Sequence, residues 1–201
     1  MEIAENHGYR FLQLTFSLFE RGAAAVGYDF MSHPFWDKYL EFEESRQNVH
    51  GQIALLERII RLPLHQYARY FEKYTQITSK APLEEWLTPD ELLSLQTKVQ
   101  SDMPEKIGQD FDDEVKSQAL ALKTAIYTAN QEAVTKRWVF ESGIKRSYFH
   151  IKPLDEVQKT NWKKYLDFEE EEGDIARIYA LYERCVVPCV GFDISFKIGT
   201  L

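Results

Sequence analysis

The sequence predicts an all-α chain built as a solenoid of antiparallel helix pairs, and two observations point there. Residues Trp36 to Arg58 recur from Trp162 to Arg184 in the same register, with eleven of twenty-three positions identical. Within each copy the apolar residues fall at helical spacing, and a turn divides the copy in two. One such pair cannot bury its own apolar face and must stack on neighbours. Function is therefore expected on surfaces rather than in a pocket.

In the first copy Ser32 and Pro34 are helix-start residues, Trp36, Tyr39, Leu40 and Glu43 follow the helical period, and Asn48 to Gly51 supply a turn. A second helix runs through Ile53, Leu56, Ile59 and Ile60 to a stop at Pro63. In the second copy Gly173 suits the left-handed position that ends a helix, and Asp174 caps the helix beginning at Ile175. An aromatic residue or leucine followed by Glu-Arg marks the second helix at Phe19-Glu20-Arg21, Leu56-Glu57-Arg58 and Tyr182-Glu183-Arg184, with a degenerate Phe140-Glu141-Ser142. The Glu residues are 37, 84 and 42 apart, so the middle interval holds one unit enlarged by an insertion. Its first helix is expected over Leu64 to Ile77, with Tyr67, Tyr70, Phe71 and Tyr74 as the apolar stripe.

The enlargement is acidic. From Ala81 to Glu114 ten carboxylates face only Lys98 and Lys106, which accounts for the whole net charge of -8. Thr88-Pro89-Asp90-Glu91 reads as a capping box with proline at the first helical position, so a short helix is expected to about Gln100, with 101–110 as loop. Residues 78–110 are taken as an acidic insertion that either docks a basic partner or is a tolerated surface excursion. From Phe111 to about Ser142 a long helix of about 45 Å is expected. Val115, Ala119, Leu122, Ile126, Ala129 and Ala133 form its seam, against the insertion or another chain.

At 201 residues, 44% hydrophobic and 14% aromatic, the chain can build a substantial core. No apolar run approaches the roughly 20 residues that span a bilayer, and the N-terminus lacks the order of a secretory signal, so an intracellular location is the default. Cys185 and Cys189 lie four apart and read as small buried helix residues, not as a metal site. The five histidines fall in separate segments, and no phosphate loop or nucleophile elbow is present. No catalysis, cofactor, metal or small-molecule substrate is expected. The run Glu169 to Glu172 reads as a solvated helix end.

The repeat-defining residues are expected to be structural. Trp36, Tyr39 and Phe42, with Trp162, Tyr165 and Phe168, have the chemistry to stack on bases, but recurrence at identical positions points to helix-on-helix packing. Glu57-Arg58 and Glu183-Arg184 are expected in inter-helix ion pairs. The segment Lys136 to Lys152 is the best candidate contact surface. There Lys136, Arg137, Lys145, Arg146 and Lys152 interleave with Trp138, Phe140, Tyr148 and Phe149. That mixture suits RNA or an acidic peptide, but the more ordinary reading is a helix end with snorkelling basic residues.

The Trp-x-x-Tyr-x-x-Phe-Glu first helix and the Ala176 to Arg184 second helix resemble the half-a-TPR (HAT) repeat of RNA-processing proteins. Lys136-Arg137-Trp138, Gly143-Ile144-Lys145-Arg146, Tyr148-Phe149-His150, Lys152-Pro153-Leu154 and Asn161-Trp162-Lys163 on to Glu183-Arg184-Cys185 narrow this. With Phe35-Trp36 and the Pro63 to Tyr70 segment, they are similar to the pre-mRNA-processing factor 39 family over about residues 10–190. The resemblance implies a right-handed superhelical solenoid filling residues 1–201 and a non-catalytic nuclear scaffold. It also implies membership of the U1 small nuclear ribonucleoprotein, support of 5' splice-site selection, and dimers with itself or with a related repeat protein. Family chains are much longer, so this one is expected to be a central portion, ending in an atypical tail at 190–201.

Overall fold

Four of the described helices begin at a side-chain cap that the sequence supplies. The computed structural model describes residues 2–189, with side chains from residue 10 onward. Among these residues there are eight α-helices and no strand. They are α1 Glu2–Val26, α2 His33–Ser45, α3 Val49–Ile59, α4 Tyr67–Thr78, α5 Pro89–Asp102, α6 Gln109–Glu141, α7 Glu156–Glu172 and α8 Ile175–Val186. A 3-10 turn at Leu83–Glu85 precedes α5. Asn48 accepts the Gly51 amide at 3.0 Å and caps α3, so Val49 to Gly51 are the first turn of a helix and not part of a longer turn. Thr88 and Glu91 form the full capping box of α5. Gly173, at φ 80°, ends α7, and Asp174 caps α8. The expected tail at 190–201 lies outside the described residues.

The chain divides into two compact units, with boundaries inside α2 and α6. One runs from Trp36 to Ala133, and the other joins the residues up to Phe35 with those from Val134 onward. In the first, Trp36, Tyr39, Leu56, Ile59, Tyr70 and Tyr74 form the core. The acidic segment completes that core: Leu83, Trp86, Leu87, Leu95 and Val99 are all buried, while Asp90, Asp102, Glu105, Asp110, Asp112 and Asp113 face water. It is an amphipathic stretch of the unit and not an excursion from it.

Helix α6, 33 residues long, corrects the predicted seam. Val115 and Ala119 are buried, but Leu122 is 55% exposed and Ala129 is also outside. The buried face continues instead through Lys123, Asn130, Val134, Arg137 and Glu141. Polar side chains hold this line because each is answered: Lys123 by Glu57 at 2.6 Å, and Asn130 by the Leu62 carbonyl at 2.9 Å, which fixes the chain between α3 and α4.

The repeated Glu forms a joint between successive helix pairs. Glu57 accepts the Tyr74 hydroxyl at 2.9 Å as well as the Lys123 ammonium. In the other unit Glu141 accepts the Tyr165 hydroxyl at 3.0 Å and the Arg184 guanidinium at 2.6 and 2.7 Å. Tyr74 stands three residues after Phe71 as Tyr165 stands three after Trp162, so the two joints use equivalent positions. Burial first, and then the neighbouring carboxylate, push both phenols well above the ordinary tyrosine range, which keeps them as donors. Arg58 lies over the Trp36 ring at 5.3 Å and Arg184 over Trp162 at 5.6 Å.

The second unit packs Leu154, Trp162, Tyr165, Leu166, Leu181 and Cys185 together, with Phe140 stacked on Tyr165 at 5.0 Å. Cys185 and Cys189 are buried free thiols 3.6 Å apart. Glu169 departs from the solvated run expected of it. Its side chain is 2% exposed and binds Arg137 at 2.8 and 2.9 Å and Arg177 at 3.1 Å. Burial raises the Glu169 carboxyl, but hydrogen bonds from Arg137 and the Arg177 charge outweigh it and hold the group below the usual carboxylate range. Glu170, Glu171 and Glu172, the rest of the run, are exposed.

Glu169→Gln removes the carboxylate that the buried Arg137 and Arg177 guanidinium groups share and is expected to cost about 3 to 5 kcal/mol in urea unfolding. Since Glu169 is depressed in the folded chain, its contribution is present above about pH 4.3, the unfolded value. It fades as pH falls from there through the folded value, so wild type and Glu169→Gln should converge in acid. A gap that stays constant from pH 7 to 3 contradicts the ion-pair account. Trp86→Ala is expected to cost about 3 to 5 kcal/mol, as a core residue does. Deleting residues 81–110 should abolish cooperative melting of the unit rather than trim its surface.

Candidate interaction surface

The segment 142–155 leaves helix α6 and returns to α7, and its path is fixed by side chains that the helices present. Leu154 is buried and Ile144 packs against the same core, so the chain is held at two apolar points. Gln158, buried on α7, donates to the Gly143 carbonyl at 2.6 Å and accepts the Lys145 amide at 3.0 Å. Asn161 donates to the Phe140 carbonyl at 2.9 Å, and a Cβ at Gly143 would stand 3.1 Å from its side chain. Across the loop, Arg146 donates to the Lys152 carbonyl at 2.9 Å and the Lys152 amide to His150 Nδ1 at 2.9 Å. Asp155 caps α7 through the Gln158 amide. The result is an ordered non-helical knuckle.

Between its anchors the knuckle turns its apolar side chains outward. Tyr148 and Phe149 are each 61% exposed and Ile151 is 91% exposed. Lys145 and Lys152 are exposed beside them. Ordinary folding leaves single apolar residues on a surface, but three within four positions on a pinned loop form a patch.

Of the five basic residues expected to make contact, the fold brings only part to this surface. Arg137 leaves the set: it is 3% exposed, committed to Glu169, and lies over the Phe168 ring at 5.3 Å. Lys136 is exposed on α6 with Glu172 at 3.3 Å. Arg146 is half-buried as a brace of the loop. The repeat-defining residues sit mostly inside. Trp36, Tyr39, Trp162 and Tyr165 are buried, and Phe42 and Phe168 are half-buried beneath Arg46 and Arg137, so their faces are not offered to a base. Of the Glu183-Arg184 pair, Arg184 is in an ion pair between helices, with Glu141 at 2.6 Å, while Glu183 is exposed. Glu183 borders an open groove of about 470 Å³ with Val26, Met31, Pro34 and Phe35.

Gln158 and Asn161, neither charged nor aromatic, are the side chains that anchor the loop. The signal for Gln158 is periodicity: Gln158, Trp162, Tyr165 and Glu169 follow steps of four, three and four along one buried stripe. No group of three or more His, Cys, Asp or Glu among the described residues is arranged to hold a metal ion. No described helix is long and apolar enough to cross a membrane.

Comparison with known proteins places this geometry. Residues 5–76 match the family model described as PRP39 N-terminal HAT repeat, and residues 135–194 the one described as PRP39 C-terminal HAT repeat; the acidic segment lies between them. Pre-mRNA-processing factor 39 of Schizosaccharomyces pombe is 47% identical over 189 residues, covering 88% of this chain and 31% of that protein. Human pre-mRNA-processing factor 39 is 31% identical over 196 residues, covering 87% of this chain and 29% of its own length. The U1 small nuclear ribonucleoprotein component PRP42 of Saccharomyces cerevisiae is 24% identical over 188 residues, 89% of this chain and 34% of that protein. The chain thus spans about a third of the length of these relatives. With HAT helix pairs at both ends and this similarity along most of its length, the chain belongs to the pre-mRNA-processing factor 39 family of HAT-repeat proteins.

Proposed function

We propose that this chain is a portion of a pre-mRNA splicing factor that acts in the nucleus as a non-catalytic scaffold of the U1 small nuclear ribonucleoprotein. It supports 5' splice-site recognition through protein contacts and pairs with a second copy or a related repeat protein. The observation that carries this is the 47% identity to a pre-mRNA-processing factor 39 across 88% of the chain. A relative named as a U1 small nuclear ribonucleoprotein component adds to it. Physical support comes from where the charges are used. Lys123, Arg137, Arg177 and Arg184 answer carboxylates within the chain, so much of its basic character holds helices together.

A second reading, direct RNA binding by residues 136–152, draws on the exposure of Tyr148 and Phe149 beside Lys145 and Lys152. Salt separates the two. Single-stranded RNA held by all five predicted cations would lose about 100-fold in affinity between 50 and 200 mM salt, whereas Lys145 and Lys152 alone account for about sevenfold. The scaffold reading expects affinity purification from nuclear extract to recover U1 ribonucleoprotein proteins, with weak RNA binding by the purified chain. Failure of the folded chain to recover any U1 protein rejects it. Tight RNA binding with the steep salt response selects the second reading instead.

A further inference from the structure

We infer that the 144–154 knuckle is a docking site for a peptide segment of a partner protein in which aliphatic or aromatic residues stand beside carboxylates. This deepens the scaffold reading by naming the chemistry of one contact. Three observations select that occupant. The side chains offered are Tyr148, Phe149 and Ile151, and the most exposed of them, Ile151 at 91%, has no ring to stack on a base. Its burial needs an apolar counterpart, which a peptide supplies.

The charge around the patch is positive. Lys145 and Lys152 are exposed, while the nearby carboxylates are engaged: Asp155 caps α7 and Glu156 pairs with Lys159 at 2.8 Å. In a chain whose net charge is -8, this is a local basic rim around an apolar centre. It complements an acidic-apolar segment and repels a basic one. Two exposed cations are few for an RNA backbone, yet enough to orient one or two carboxylates.

The knuckle is also ordered before anything binds. Gln158 and Asn161 hold its base and Arg146 its waist, so little loop entropy is lost on docking. Arg146 is a positioning residue here, since its guanidinium faces the Lys152 carbonyl and not the patch.

The test is panning of a random phage-displayed dodecapeptide library on the purified chain and on Tyr148→Ser/Phe149→Ser/Ile151→Ser, followed by fluorescence anisotropy with the enriched peptide. A 12-nucleotide uridine RNA runs in parallel. All three substituted residues are exposed, so circular dichroism and melting should match wild type. Expected are peptides that combine carboxylates with Leu, Ile, Phe or Trp, bound at least tenfold more weakly by the triple variant. Lys145→Glu/Lys152→Glu should weaken them about three- to tenfold, with the loss shrinking at high salt. Enrichment of basic or uncharged peptides, equal enrichment on the triple variant, no enrichment, or uridine RNA as the ligand lost with the triple variant each overturns the proposal. Recovery of U1 proteins from extract by that variant would leave the scaffold reading standing while removing this site.

Discussion

A carboxylate denied water must be answered by donors, and the joint between successive helix pairs is built on that requirement. Glu141 is 1% exposed at its side chain and is met by the Tyr165 hydroxyl and both terminal nitrogens of Arg184. Each donor comes from a different helix of the next pair, so one acid sets the position of two helices at once. Arg184 in turn lies on Trp162, and Tyr165 stacks with Phe140, so the polar contact and the apolar core are parts of one arrangement. An isolated buried ion pair gives little net stability, but it penalises any register that leaves the acid alone. The Glu-Tyr-cation set recurs at Glu57, Tyr74 and Lys123, where the ammonium is the more deeply buried partner.

How far the sequence discloses this depends on which signal each residue carries. The duplicated Trp-to-Arg stretch, the capping box at Thr88 and the stop at Gly173 are local, and helix boundaries follow from them within a few residues. The inner face of α6 is not local. Apolar periodicity selects Leu122, yet the fold buries Lys123, because whether an ammonium is tolerated inside depends on Glu57, sixty-six positions earlier in the chain. Glu169 misleads for the same reason. Four consecutive acids look solvated until Arg137 and Arg177 are known to converge on the first of them.

The candidate surface was legible in composition but not in geometry. Basic and aromatic residues from Lys136 to Lys152 draw notice as a group, and the fold then sorts them by role. Arg137 enters the core, Arg146 braces a turn, and Tyr148, Phe149, Lys145 and Lys152 remain outside. That division arises because Ile144 and Leu154 are the anchors. The apolar side chains between them, Tyr148, Phe149 and Ile151, lie outside the core, where burial has no claim on them.

The two copies of the repeat also show how one residue is satisfied in two ways. Glu43 and Glu169 are equivalent and both are buried, but Gly51 stands where the second copy has Arg177. With no guanidinium from that position, Glu43 is met by Asn48 at 2.8 Å and Arg46 at 3.4 Å, both from the turn that joins α2 to α3. A Cβ at Gly51 would fall 2.5 Å from the Glu43 carboxylate, so the smallest residue is what lets the acid sit there. In the second copy that position holds Arg177, which binds Glu169 at 3.1 Å, and Arg137 of α6 binds the same carboxylate at 2.8 Å. The acid is thus kept in both copies while its partners move from the local turn to a neighbouring helix. That shift gives the second copy a charged tie from its first helix to α6, whereas the first copy reaches α6 from its second helix, through Glu57 and Lys123.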